Sequence, residues 1–359
     1  MSTTATKRMI DAYVQTAPPT LFLSGMFESP PQNFHNSEEV EIDIIRSEED
    51  VSIVITDISA GYRMNSTDLY TNKAFKPPVH KEAITLNAFS LLKRTAGNDP
   101  FADVSFQQAL AARIMTGMRA PEMKIHRAIE LQASQILQTG IITLSDDTGT
   151  ALYTLDYKPK ATHFPDAAIS WGTGGEDKLG DLESLCDVIR EDGLAEADEI
   201  IFGAAAWRKF EADTTVQALL DNRRMTLGGV APERRGMGAK YMGTIEIGDC
   251  SLGMWIYSGR YTHPQTGVST RYVDEDKVIV RASAGRMDAT FGAVPRIVAP
   301  DPRVAQFIPS RVMNTRGGMD LWPNVWIDER GENLSAGVSS RPLLIPTAID
   351  TYGCLNTNP

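Results

Sequence analysis

The sequence predicts an elongated α+β protein rather than a layered α/β one, and three observations carry that reading. A helical stripe extends from about residue 103 to 139, enough for a rod of roughly 50 Å at about 1.5 Å per residue. Segments with strand-like alternation flank it, at VEIDII before it and at IITLSDDTGTALYTLDY after it. Beyond a Gly-rich stretch, WGTGGEDKLG, the pattern turns into a mixed unit of helices and several strands.

Residues 1 to about 37 read as an arm. Pro18, Pro19, Pro30 and Pro31 bracket a short apolar patch of Leu21, Phe22, Leu23, Met26 and Phe27. Such a patch makes no core by itself, so it must lie on something else. Val40, Ile42 and Ile44, a polar turn at Ser47–Asp50, then Val51, Ile53 and Ile55 read as a β-hairpin. The stretch 58–92 has strand-like flanks and a polar middle that holds Pro77 and Pro78. A two-stranded ribbon is at best marginally stable in water, and a loop of this length is uncommon in a compact domain unless functional or disordered. Either the stretch is mobile or another subunit supplies the surface on which it rests.

The long helix is striped by Leu110, Ile114, Met118, Ile125, Ile129, Ala133 and Ile136, stops at Gly140, and is expected to bend at Pro121. A hairpin turning at Asp146–Gly149 follows. After the Gly-rich linker, a helix through Leu182, Leu185, Cys186 and Ile189 ends at Gly193. A strand at Glu199–Phe202 leads to one further helix through Trp207, Phe210, Val216, Leu219 and Leu220. Strands are expected at Thr244–Ile247, Met254–Tyr257 and Val278–Val280, and 320–359 reads as a last extended segment.

Composition excludes several function classes. The 359 residues leave room for two or three domains. A net charge of −11 argues against a surface that grips nucleic acid along its length, and it keeps a concentrated subunit soluble. No stretch approaches the roughly 20 apolar residues of a membrane span, and MSTTATKRMIDAYVQTAPPT lacks the pattern of a secretory signal. Cys186, Cys250 and Cys354 form no CxxC pair, which fits a reducing compartment. His35, His80, His126, His163 and His263 stand at no metal-ligand interval, and no HExxH, GxSxG, Walker lysine or EF-hand pattern occurs. The run GGVAPERRGMG lacks the strand-before, helix-after context of a phosphate loop and reads as surface loop. Asp146–Asp147 and Asp274–Asp276 read as turn chemistry. Arg223 and Arg224 end a helix, where they favour its dipole or pair across a subunit boundary. No enzyme activity, metal or cofactor is expected.

The order of these features resembles the lambda-like major capsid proteins of tailed bacteriophages, the capsid protein E family. The residues that carry the resemblance are TLFLSGMF, FKPPVHKEAITL, RIMTGMRAPEMKIHRAIELQASQILQTG, WRKFEADTTVQALLDNRR, GTIEIGDCSLGMWIYSGRY and WPNVWIDERGENLSAGVSSRPLLIP. They are collinear over nearly the whole chain; the one departure is Ala120–Pro121, where relatives tend to carry charge.

The resemblance implies the Hong Kong 97 phage fold. It assigns 1–55 to an N-arm and first strands, 56–92 to an E-loop, and 93–171 to a P-domain with its spine helix at 103–139. It assigns 172–305 to an A-domain and returns 306–359 to the P-domain. It further implies hexamers and pentamers of this chain in an icosahedral virion shell around double-stranded DNA, assembled in the host cytoplasm. A portal protein at one vertex, a scaffolding protein during assembly and a decoration protein are the partners expected with it, with no membrane and with DNA held by confinement. An encapsulin-type cage is the alternative use of the same fold. The inter-subunit contact candidates are Tyr70, Lys73, Phe75, Lys76, Pro77, Pro78, Arg223, Arg224, Trp322 and Trp326. A covalent cross-link would need Lys73 or Lys76 to meet an Asn beside a buried acid on a neighbour; Asn324 and Asp328 can be read that way, but no such link is expected.

Overall fold

The computed structural model describes residues 21–35, 40–45, 70–75, 77–87, 106–145, 150–221, 225–227, 238–294, 321–327 and 333–359. The first strands are β1 (Val40–Ile45), β2 (Tyr70–Phe75) and β3 (His80–Asn87), followed by helix α1 (Phe106–Thr139). The hairpin β4 (Ile141–Ser145) and β5 (Ala151–Asp156) leads to α2 (Lys178–Gly193), β6 (Glu199–Phe202), α3 (Ala204–Glu211) and α4 (Thr214–Asp221). Next come β7 (Met225–Leu227), β8 (Ala239–Ile247), β9 (Cys250–Tyr257), β10 (Arg260–Thr262), β11 (Ser269–Arg271), β12 (Lys277–Arg281) and β13 (Asp288–Phe291). The chain closes with β14 (Trp322–Ile327), β15 (Asn333–Ser340), β16 (Pro342–Ile345) and β17 (Tyr352–Asn356).

The helix α1 forms because its apolar residues recur at helical spacing. Ile114, Met118, Ile125, Ile129, Ala133, Ile136 and Leu137 are all buried. Pro121 lies inside it and does not end it. Gly140 does: it takes φ +68°, donates to the Ile136 carbonyl at 2.7 Å, and a Cβ there would stand 2.4 Å from Pro159. Buried polar side chains then tie the last turns to the loop after β11. Ser134 and Gln138 donate to the Tyr272 carbonyl, and Gln138 accepts from the Asp274 amide at 3.0 Å.

A six-stranded sheet, in the order β17-β12-β6-β9-β8-β7, is covered on both faces. Alternation along each strand divides its side chains between two cores. Ile200, Phe202, Met254, Val278, Val280 and Leu355 join α2, α3 and α4 on one side. Ile201, Trp255, Ile279 and Cys354 join α1 on the other. Burial on both faces explains why EIIF and KVIVR read as continuous apolar runs and not as alternating ones.

Several expectations are corrected here. The helix expected through 207–220 is two helices, because the Asp213 carboxylate accepts from the Thr215 amide at 2.7 Å and so starts a second helix. The stretch 171–180 is not a free linker. Trp171 is buried against Phe210 with its indole N–H donating to Asp181 at 2.8 Å, and the Glu176 carboxylate accepts from the amides of Gly172 and Gly174. The strand β1 pairs antiparallel with β2, Val40 opposite Phe75 and Ile45 opposite Tyr70, while 51–55 and the polar turn lie outside the described residues. The strand β17, within the segment assigned to the P-domain, is an edge strand of the six-stranded sheet, paired with β12. The segment 80–87, assigned to the E-loop, is β3, which pairs along its whole length with β15 in a three-stranded antiparallel sheet, β14-β15-β3, laid on α1.

Candidate inter-subunit contact surface

Three buried polar anchors hold the N-terminal arm and the Pro77–Pro78 crossover onto the body. The first is Glu130 of α1, fully buried, whose carboxylate accepts from the amides of Leu23 (2.9 Å) and Ser24 (2.8 Å) and from the Tyr257 hydroxyl (2.5 Å). Burial, together with the neighbouring Glu130 carboxylate, pushes the Tyr257 phenol far above its ordinary range, so it remains a donor. The arm is thereby seated with Leu21, Phe22, Leu23 and Phe27 buried and Phe22 in ring contact with Trp255 and Tyr257.

The second anchor is Asp288 in β13. It accepts from Asn33 (3.0 Å), Thr347 (2.6 Å) and Arg286. Burial would raise its carboxyl, but those hydrogen bonds outweigh burial and hold it below the usual aspartate value. The third is Arg341, only 1% exposed. Its guanidinium donates to the Pro77 carbonyl at 3.1 and 3.3 Å and to the Ala293 carbonyl at 2.9 Å. Planar donors in a fixed fork suit two carbonyls in two directions.

The outer face of the three-stranded sheet is partly exposed: Lys81, Ala83, Thr85 and Trp326 are exposed, whereas Ser335, Gly337 and Trp322 are buried. Ile84, Leu86, Val325, Ala336 and Val338 belong to the core against α1. The alternate positions, Lys81, Ala83 and Thr85 in β3, Ser335, Gly337 and Ser339 in β15, and Asn324 and Trp326 in β14, point the other way. Trp326 is 38% exposed, and its ring lies over Gly337, where a Cβ would approach it to 3.2 Å. Beside it runs a groove of about 240 Å³ lined by Lys81, Ala83, Val294, Asn324 and Ser339 among others.

The predicted contact residues fall into three groups. Tyr70, Lys73 and Phe75 lie in β2 of the ribbon. Lys76, Arg223 and Arg224 lie outside the described residues, as does Asp328. Of the rest, Pro77 and Trp322 are buried by their own chain, Pro77 facing Gly292 and Arg341, so neither presents a free contact surface. Pro78 is half-buried and Trp326 exposed. Sequence reasoning passed over Glu130, Asp288 and Arg341, the residues that hold the arm and the Pro77–Pro78 crossover.

Elsewhere the titratable groups serve packing. The His163 ring sits between the Tyr352 carbonyl and the Asp192 carboxylate, 2.9 and 3.2 Å away. A hydrogen bond from Lys160, at 2.6 Å, holds Asp192 below its ordinary value. Burial lowers His80 against the pull of Glu82. Among the described residues no group of three or more His, Cys, Asp or Glu side chains could hold a metal ion, and no helix is long and apolar enough to cross a membrane.

Comparison with known proteins agrees with this architecture. A crystal structure of a prophage protein of E. coli CFT073, described as its capsid protein, superposes with a TM-score of 0.64 at 18% identity, covering 98% of both chains. A phage-related protein of Bordetella bronchiseptica RB50 superposes with a TM-score of 0.50 at 10% identity, covering 98% of this chain and 96% of that one. Identities this low speak for the fold alone. No curated protein matches the sequence significantly. The model of the phage major capsid protein E family, however, matches residues 6–352, almost end to end, and the chain therefore belongs to that family of bacteriophage shell subunits.

Proposed function

We propose that this major capsid protein closes its shell as hexamers and pentamers through one repeated contact: the β1–β2 ribbon of one subunit covers the outer sheet face around Trp326 of its neighbour. One observation carries the reading. Among the described residues the ribbon strands pair only with each other, and the three-stranded sheet has one face covered by α1 and the other partly exposed, around Trp326 and β3. A lone ribbon and a half-covered sheet each lack a layer, and each supplies what the other lacks. Closed symmetry multiplies a moderate contact over every subunit, so no single strong site is needed. In this reading the reaching segment is the span 46–75, because β3 pairs with β15 of its own subunit.

The finer partners belong to the same proposal. A portal protein occupies one vertex, a scaffolding protein guides assembly in the host cytoplasm, and a decoration protein is compatible with the outer surface. The net charge of −11 supports an inner wall that holds DNA by confinement and counterions, without enzymatic chemistry. Tight and strongly salt-dependent binding of short DNA to empty shells would overturn that part. The contact itself is tested by hydrogen exchange on monomer and particle. Amides of 46–75 should exchange quickly in the monomer and be protected in the particle, while those of β3 are protected in both. Equal protection of 46–75 in both states would show that the ribbon needs no neighbour.

A further inference from the structure

We propose that Cys186 and Cys250 are a paired oxidation site, which a small disulfide oxidant closes into an intrachain disulfide joining α2 to the β8–β9 hairpin. The placement is fixed from three sides of one helix face. Glu183, one turn before Cys186, lies against the hairpin turn: a Cβ on Gly248 would meet its carboxylate at 2.4 Å. Arg190, one turn after Cys186, donates to the Asp249 carboxylate at 2.9 Å and to the Cys250 sulfur at 3.1 Å. Residues one turn apart on a helix share a face, so Cys186 is set between two side chains that both touch 248–250. Both thiols are buried and belong to one apolar cluster, together with Ile189, Ile247 and Leu252. Cys354 belongs to the other core, on the far face of the sheet.

The two thiols differ in access. Cys186 is sealed within the helix–sheet core, while Cys250 opens β9 directly after the exposed Asp249 and lies under a partly exposed Arg190. Burial raises both thiols above their ordinary value, so the pair is inert while its surroundings stay reducing. The exchange balances in two steps. The Cys250 thiolate attacks one sulfur of a small disulfide such as oxidised glutathione, forming a mixed disulfide and releasing one glutathione thiolate, which takes up the proton that Cys250 lost. The Cys186 thiolate then attacks the Cys250 sulfur, expels the second glutathione and closes the protein disulfide; the protein loses two hydrogens and the oxidant gains them. A shell protein carried out of a cell meets such oxidants; that occasion rests on the virion reading, whereas the chemistry does not.

The test uses the full chain, treated with oxidised glutathione and then mapped by mass spectrometry without reduction. The expected product is one linked peptide pair containing Cys186 and Cys250, lighter by two hydrogens, with Cys354 free. The unfolding midpoint should rise by about 5–10 °C and return on adding dithiothreitol. Cys354→Ser should behave like the parent; Cys186→Ser should give neither the linked pair nor the shift. Access is controlled by repeating the oxidation in denaturant below the unfolding transition. Free Cys186 and Cys250 thiols under that condition, or a link to Cys354 or to another chain, would overturn the proposal. Because the readout needs no assembly, it remains interpretable whether or not shells form.

Discussion

The two larger sheets of this subunit are built on opposite plans. The six-stranded sheet is closed: helices α2 to α4 cover one face and α1 covers the other, so every central strand is apolar on both sides. The three-stranded sheet β14-β15-β3 is half-open, apolar toward α1 and carrying small or polar residues and Trp326 outward. The first plan buries both faces within the subunit. The second leaves part of one face exposed, and the proposed contact uses that face, which turns away from α1.

Breaking the closed sheet should have the largest effect. Phe202 touches Trp207 and Phe210 and is fully buried, so Phe202→Ala should cost about 3–5 kcal/mol in chemical denaturation of the monomer. An effect under about 1 kcal/mol would mean that this sheet is not the stable half. Arg341→Ala should come next, at about 2–3 kcal/mol, because it strands the buried carbonyl of Pro77 and the partly buried one of Ala293. Faster exchange at the amides just after Pro77 would accompany it.

Trp326→Ala sharpens the contrast. The monomer should change by no more than about 0.5 kcal/mol, yet particle yield or particle melting temperature should fall. A monomer destabilised as much as by Phe202→Ala would place Trp326 in the fold and not on a contact. Boiled in detergent with reductant, assembled shells should give a single monomer band; a ladder would reveal cross-links of the Lys73 kind.

The smallest effect concerns acid. Backbone hydrogen bonds at Glu176 and Gly172, with help from Lys178 and Gly174, hold the Glu176 carboxyl at about 2 instead of its ordinary 4.5. A lowered carboxyl stabilises the fold above its unfolded value and loses that contribution as pH falls through the folded one. Stability of the parent minus that of Glu176→Gln should therefore be constant above about pH 4.5 and shrink to nothing toward pH 2. A difference that persists unchanged to pH 2 would disprove the backbone-held carboxylate.

Local periodicity carried most of the secondary structure. The stripe from Ile114 to Ile136 and the stop at Gly140 defined α1, and the alternation around 141–156 defined β4 and β5, because both patterns depend only on neighbours in sequence. The break between α3 and α4 was written in the D-T-T that follows Phe210, a capping signal masked by the apolar residues on either side. Strand pairing was not legible: β1 meets β2 and β3 meets β15 across long loops, and alternation names a face but no partner. Glu130 and Arg341 were invisible for a related reason. Each sits among apolar neighbours like any exposed charge, and only the arriving arm and the Pro77 crossover reveal what it holds. On the candidate surface, the tryptophans at 322 and 326 looked alike in sequence, yet only Trp326 remains open, since burial depends on tertiary context.

The edge strand β17 has a consequence for the timing of synthesis. Its neighbours β12 and β6 leave the ribosome long before it, and Val278, Ile279 and Val280 lack a partner along one edge until Tyr352–Asn356 has been made. Contacts between residues so far apart in sequence form late. The six-stranded sheet therefore cannot be completed on a nascent chain until Tyr352–Asn356 has emerged from the ribosome.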